Sequence, residues 1–309
     1  MKHEPTVFGT KDTKNTKNTE KGFLLFLVFF VAFVSLVAGP LPVTPQTARV
    51  PARIVSLIPA VTEMLFALGA GDRVVGVSSF DRFPPAVAKI QKVGALLDPD
   101  LERILSLKPD LVVMYHTQAD LRKQLDRAGV PVYVYSHAGL PDVTSTLRSV
   151  GTRIGLGDRA AKLGAGIEAR IDAIRKAAAQ GPRPRTLIVF SRENYALRGI
   201  YASGGIGFVH DMATAAGAQN IFADMNRQAV QATTELILAR RPEVILELRA
   251  DPMTPDEEGK ELAVWQQLAS VPAVANRRVY IITDPRTVIP GPRVVEGIEA
   301  LAARIRPRP

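Results

Sequence analysis

From residue 53 onward the chain alternates short apolar runs with helical stretches. The runs at 53–57 (RIVSL), 73–77 (RVVGV), 111–115 (LVVMY) and 132–135 (VYVY) have the length and β-branched content of buried strands. Between and after them, 61–68, 101–107, 120–128 and 141–154 carry helical spacing, and Gly69, Pro109 and Gly129 punctuate the first three. Residues 158–180 read as one long helix, with Ala161, Leu163, Ile167, Ile171 and Ile174 close to a helical period and Gly181, Pro182 and Pro184 as the stop. The alternation then resumes, with strands expected at 186–190, 244–248 and 279–282 and helices at 207–216, 234–239 and 292–304. Strands alternating with helices imply parallel sheets covered by helices. The pattern predicts an α/β fold of two Rossmann-like lobes with parallel sheets, joined by a single long α-helix.

One feature repeats between the halves. Glu102-Arg-Ile-Leu-Ser-Leu-Lys-Pro109 and Glu235-Leu-Ile-Leu-Ala-Arg-Arg-Pro242 share the spacing from Glu to Pro, and each leads into an apolar strand. The repetition predicts pseudo-symmetric lobes. Asp98-Pro99 is the expected start of the first of these helices and Thr233-Thr234 of the second.

Ahead of the alternating region lies an apolar segment, 22–38 (GFLLFLVFFVAFVSLVA). Lys11, Lys14, Lys17 and Lys21 precede it, and Gly39, Pro40 and Pro42 follow. This is the layout of a secretory signal. The segment is only slightly short of a membrane span, so a retained anchor is the alternative. Both place the body outside the cytoplasm, in the periplasm. The chain therefore divides into 1–48 (signal or anchor plus spacer), 49–154 (N-terminal lobe), 155–181 (connecting helix) and 182–309 (C-terminal lobe).

Composition excludes some classes. Hydrophobic residues make up 47% and charged residues 22%, as in a globular protein. The net charge of +9 is held partly by the Lys-rich start and by Arg304, Arg306 and Arg308, with no basic run interleaved with aromatics, so nucleic acid is not an expected partner. Cysteine is absent, which leaves no disulfide, thiolate metal site or N-terminal lipidated Cys.

In open parallel sheets, ligands bind beyond the carboxyl ends of the strands. There the sequence places Ser79 and Phe80, Tyr115 and His116, and Tyr135 and His137. The second lobe adds Tyr195, Tyr201, Ser203 and Asp284. Aromatic and hydroxyl groups suit a large, partly apolar ligand gripped by surface contact and a few hydrogen bonds. His116, His137 and His210 raise a zinc or manganese reading, but no pair has the spacing that puts two ligands on one helical face, and no metal site is assigned. Gly155-Leu-Gly157-Asp-Arg-Ala160 follows a helix and not a strand, so it does not form a dinucleotide fingerprint, and no nucleophile motif or paired carboxylates indicate catalysis. Trp265, the only Trp, falls in an expected surface helix.

Arg53-Ile-Val-Ser-Leu-Ile-Pro59-Ala-Val-Thr-Glu63, Val75-Gly-Val-Ser-Ser79-Phe, Leu101-Glu102 through Pro109-Asp-Leu-Val, Tyr201-Ala-Ser-Gly204 and Gly217-Ala-Gln-Asn-Ile221-Phe resemble the periplasmic binding proteins of ABC importers for vitamin B12, ferric siderophores and haem. The likeness spans residues 53–304 and implies the class III binding-protein fold, with the ligand clamped between lobes. It implies a monomer without catalytic activity or resident cofactor, its cargo a cobalamin or related corrinoid, with a ferric siderophore or haem as the alternative. It also implies delivery to an ABC transporter permease dimer in the inner membrane, with Glu102 and Glu235 meeting permease arginines. The first lobe most resembles the B12-binding members. Phe80 matches their pocket aromatic, while Leu96 stands where they carry a Trp.

Overall fold

The computed structural model describes residues 49–249 and 251–306. The apolar segment at 22–38 lies outside the described residues.

The first sheet has the order β3-β2-β1-β4-β5, built from β1 (Ile54–Ser56), β2 (Val74–Val77), β3 (Gln91–Lys92), β4 (Leu111–Tyr115) and β5 (Val132–Tyr135). Every pairing in it is parallel: Ile54 stands opposite Val74 on one side and Leu111 on the other. The central strands are buried on both faces, which is why they read as continuous apolar runs and not as alternating ones. Helices α1 (Pro59–Ala67), α2 (Leu101–Ser106), α3 (Ala119–Arg127) and α4 (Pro141–Arg153) cross between these strands or follow them.

Helix α5 (Gly157–Ala179) runs unbroken for 23 residues, about 35 Å at the usual rise. Its buried stripe is Ala160, Gly164, Ile167 and Ile171, and Leu163 and Ile174 flank it half-buried, whereas Ala161 faces solvent. Small residues let α4 and α5 approach closely. Glu168 then ties the pair, accepting from Arg148 Nη1 and Nη2 (both 2.7 Å) and from Thr144 Oγ1 (2.6 Å).

The second sheet runs β11-β10-β6-β7-β9, with β8 also on β6. Its strands are β6 (Arg185–Ser191), β7 (Ile200–Ser203), β8 (Gln219–Asn220), β9 (Ala229–Ala232), β10 (Val244–Leu248) and β11 (Val279–Ile282). The β6-β10-β11 half is parallel, but β7 pairs antiparallel with both β6 and β9. The strands expected at 186–190, 244–248 and 279–282 do not include Tyr201 and Ser203. They lie on β7, a four-residue strand ending in the Gly204-Gly205 turn, too short for a clear period. The turn needs glycines, because a Cβ on Gly204 would sit 2.1 Å from Arg227 O and one on Gly205 2.3 Å from Ala223 O. Helices α6 (Phe208–Ala215), α7 (Thr234–Arg240), α8 (Pro255–Ala263), α9 (Pro272–Ala275) and α10 (Val294–Ile305) complete the lobe.

The repeat seen in the sequence is a backbone repeat. Lys108 (φ 48°) and Arg241 (φ 45°) both take the left-handed conformation immediately before Pro109 and Pro242, and β4 and β10 begin two residues after each proline. The helix starts correspond too, with one correction. Asp100, and not Asp98-Pro99, caps α2, its carboxylate accepting from Arg103 N (2.9 Å), while Thr233 caps α7 through Leu236 N (3.2 Å).

Trp265 is a second correction. It is fully buried beneath the second sheet, and its Nε1 donates to Glu247 (3.2 Å), an acid set inside the buried strand β10. Glu247 in turn pairs with Arg192 (3.0 Å) and Arg249 (2.5 Å), and Arg192 also meets Glu261 (2.6 Å). Two arginines and two glutamates balance in charge, and an apolar window around Trp265 cannot reveal that its indole NH has a buried partner.

Candidate functional site

Because β1, β2, β4 and β5 are parallel, their carboxyl ends share one edge, and the side chains there face the second lobe. Four sequence-selected residues converge on that edge. Tyr115 meets Tyr135 edge-on (ring centroids 5.1 Å apart, 82°) and His116 at 5.9 Å. Tyr135 stacks with His137 (6.2 Å, 13°), and His137 meets Phe208 of α6 edge-on (5.2 Å, 71°). The rings thus run from the end of β4 across into the other lobe. Tyr135 is buried and its hydroxyl has no hydrogen-bond partner among the described residues. Burial pushes the Tyr135 and Tyr115 phenols up and the His137 imidazolium down, the latter against the pull of Asp142 and Asp211. His116 is exposed, its backbone NH held by Tyr135 O (3.0 Å).

Ser79 and Phe80 stand exposed at the end of β2. Buried Asp81 holds their turn from beneath, accepting from Ser78 N (2.9 Å) and Ser78 Oγ (2.5 Å), and Lys92 Nζ reaches Asp81 O (2.8 Å). Phe80 is 59% exposed, leaving its ring face available for contact. Leu96 is half-buried against the hydrophobic core, and its carbonyl accepts from Gln118 Nε2 (2.8 Å).

In the second lobe, Tyr195 (52% exposed, φ 56°) and Tyr201 (44% exposed) stay outside the ring cluster. Tyr195 is posed from below: its NH donates to Glu261 (3.2 Å), part of the buried charge group. Asn194 is held beside it by Arg249 Nη1 (3.1 Å). Ser203 is buried, and its hydroxyl donates to Gly204 O (3.2 Å), so it serves the turn. Asp284, at the end of β11, caps a short turn through Arg286 N, and the Arg286 guanidinium beside it lowers its carboxyl pKa. His210 lies apart from His116 and His137, with Nδ1 3.1 Å from Asn220 Nδ2.

Among the described residues, five contacts between lobes join positions that no sequence pattern pairs. Glu63 on α1 pairs with Arg293 ahead of α10 (2.9 and 2.5 Å), and Phe83 lies 3.6 Å under the guanidinium. Arg82 meets Asp251 (3.4 Å) at the surface, Asp211 accepts from Leu140 N (2.8 Å), and Phe208 packs on His137. A charged residue inside an apolar helix (PAVTEMLFA) was the available signal for Glu63, while Phe208 carried none.

Glu102 and Glu235 are exposed in the first turns of α2 and α7. Hydrogen bonds from its own backbone NH and from Thr233 lower the Glu235 carboxyl pKa. Among the described residues no three His, Asp or Glu side chains form a group able to hold a metal ion, and no helix is long and apolar enough to cross a membrane.

Two α/β sheets, one linking helix and a ring-lined contact between the lobes define a bilobal binding protein. The family profile described as periplasmic binding protein matches residues 54–285. The chain belongs to the periplasmic binding protein family, whose members are substrate-binding components of ABC transporters and not enzymes. It is 32% identical over 262 residues to an uncharacterized ABC transporter substrate-binding lipoprotein, YvrC, of Bacillus subtilis, covering 83% of this chain and 81% of that one. It is 26% identical to the vitamin B12-binding protein of Pectobacterium carotovorum, over 82% of this chain and 90% of the relative. Among solved structures it resembles the periplasmic heme-binding protein RhuT from Roseiflexus sp. RS-1 in apo form: TM-score 0.70, 29% identity, 82% of this chain and 97% of that one.

Proposed function

We propose that this protein captures a corrinoid between its lobes and delivers it to an ABC permease. The observation that carries the reading is the neutral, aromatic character of the strand-end surfaces. The rings of Tyr115, Tyr135, His137 and Phe208 form one run, and Phe80, Tyr195 and Tyr201 are exposed elsewhere on the two lobes. Meanwhile Arg82, Arg249, Arg286 and Arg293 each have a carboxylate partner. Such a surface favours a broad, uncharged ligand edged with amides over one read through free carboxylates. The likeness to vitamin B12-binding proteins over 82% of the chain supports the same cargo.

A ferric siderophore or haem is the second reading, favoured by the exposed His116 beside Tyr115 and by the likeness to RhuT. Ser79, Phe80, Leu96, Tyr115, His116, Tyr135, His137, Tyr195, Tyr201, Ser203 and Asp284 are the proposed ligand-side residues, with Ser203 and Asp284 acting through the turns they hold. Glu102 and Glu235 are the proposed docking pair, one per lobe, each on a capped helix start that keeps the carboxylate exposed. The test is mass spectrometry of what co-purifies with the chain expressed in a corrinoid-producing host. A corrinoid mass supports the reading, and a haem or ferric siderophore mass replaces the cargo.

A further inference from the structure

His137 is a half-buried titratable side chain that the ligand reading leaves half explained. Its ring lies between Tyr135 of its own lobe and Phe208 of the other. Both ring nitrogens are buried and neither has a hydrogen-bond partner among the described residues. A neutral imidazole has one NH to satisfy, whereas an imidazolium has two, and stranding a charged donor away from water costs far more.

The surrounding groups offer no rescue at hydrogen-bonding distance. From β5, Tyr135 presents its ring face. From α4, Asp142 is engaged by Ala138 N (2.6 Å) and Gly139 N (2.9 Å). From α6, Asp211 is engaged by Leu140 N (2.8 Å), and Phe208 presents only carbon. Tyr115 and His116 touch the ring run at Tyr135 and at each other, one residue further from the interface.

We propose that His137 is an acid-sensitive latch between the lobes, its neutral ring sealing the closed form and its protonation opening it. Opening separates Phe208 from His137 and lets water solvate the imidazolium. Burial outweighs the attraction of Asp142 and Asp211, so the proton is bound more weakly in the closed form. The sign follows by linkage. Closure is fully favoured above the ordinary imidazole value of about 6.5 and weakens as pH falls below it, by at most about tenfold per pH unit for one proton. In a compartment that follows external acidity, this would ease cargo release as pH drops. The inference stands apart from the identity of the cargo.

The chain has no cysteine, so two introduced ones label cleanly. Spin labels at Gln124→Cys on α3 and Gln267→Cys in the second lobe report the separation of the lobes, with the full chain held in phosphatidylcholine nanodiscs and no ligand added. The expected result is a long-distance population that grows as pH falls from about 7.5 to about 5. His137→Phe, which keeps the ring packing, should hold the distances constant over that range, and His137→Met serves if the Phe variant does not fold. Distances that ignore pH in the unmodified ring, or the same pH response in the variants, would overturn the proposal.

Discussion

Glu63 and Arg293, 230 residues apart, form a two-point ion pair that crosses from one lobe to the other. Glu63 is 4% exposed, and the Arg293 guanidinium is sandwiched between its carboxylate and the Phe83 ring. Removing one partner leaves a buried charge behind. Arg293→Ala should therefore cost about 3–5 kcal/mol, whereas Glu63→Met with Arg293→Met should cost clearly less than the single change. Urea unfolding curves of the three chains check this, and a double variant no better than the single would refute the pairing argument.

The charge group under Tyr195 makes a second case. Glu247→Leu leaves Arg192 with one acid instead of two and takes the partner from Trp265 Nε1. The expected loss is again about 3–5 kcal/mol, together with a shift in the emission of the sole Trp. Unchanged emission in a destabilised variant would mean that the indole is not held as described.

These two groups show where the sequence stopped being legible. The strands β1, β4 and β10 and the helix α5 were readable because burial on both faces, or along one stripe, leaves an unmistakable apolar pattern. The Glu-to-Pro repeat predicts pseudo-symmetric lobes, and the structure adds a matching left-handed residue at Lys108 and Arg241. By contrast, β7 and β9 each leave residues exposed, so IYAS and AVQA lack the unbroken apolar run that marks the equally short buried strands. Trp265 was misplaced because its burial depends on Glu247 and Arg192, charges from distant strands whose pairing no local window contains. Of the site, the rings at the ends of β4 and β5 were legible from topology alone. Phe208 and Arg293 were not, since they reach the site only once the lobes meet.

Glu168 gives a pH signature away from the site. Hydrogen bonds from Arg148 and Thr144 hold its carboxyl at about 2. A depressed carboxylate stabilises above its unfolded value near 4.3 and loses that contribution as pH falls toward the folded value. Both side chains are partly exposed, so the effect is small, below about 1 kcal/mol. Glu168→Gln should lower the melting temperature slightly at neutral pH, and the difference should fade as pH falls through about 2. An equal deficit at both ends of that range would remove the linkage between α4 and α5 from the account.

Docking separates from capture. Glu102→Arg combined with Glu235→Arg changes two exposed positions, so the fold and the ligand affinity should persist. Uptake of the cargo into cells should fall by at least tenfold. Normal uptake by the double variant would show that these carboxylates only complement their helix starts.

The central claim is saturable capture of a corrinoid between the lobes. Isothermal titration of the ligand-free chain with cobinamide and with cyanocobalamin tests it most directly. The account predicts one site per chain for at least one of them, with binding weakened at least tenfold by Tyr135→Ala, which cuts the ring run. No heat with either corrinoid, alongside a saturable isotherm with haem or a ferric siderophore, would contradict it.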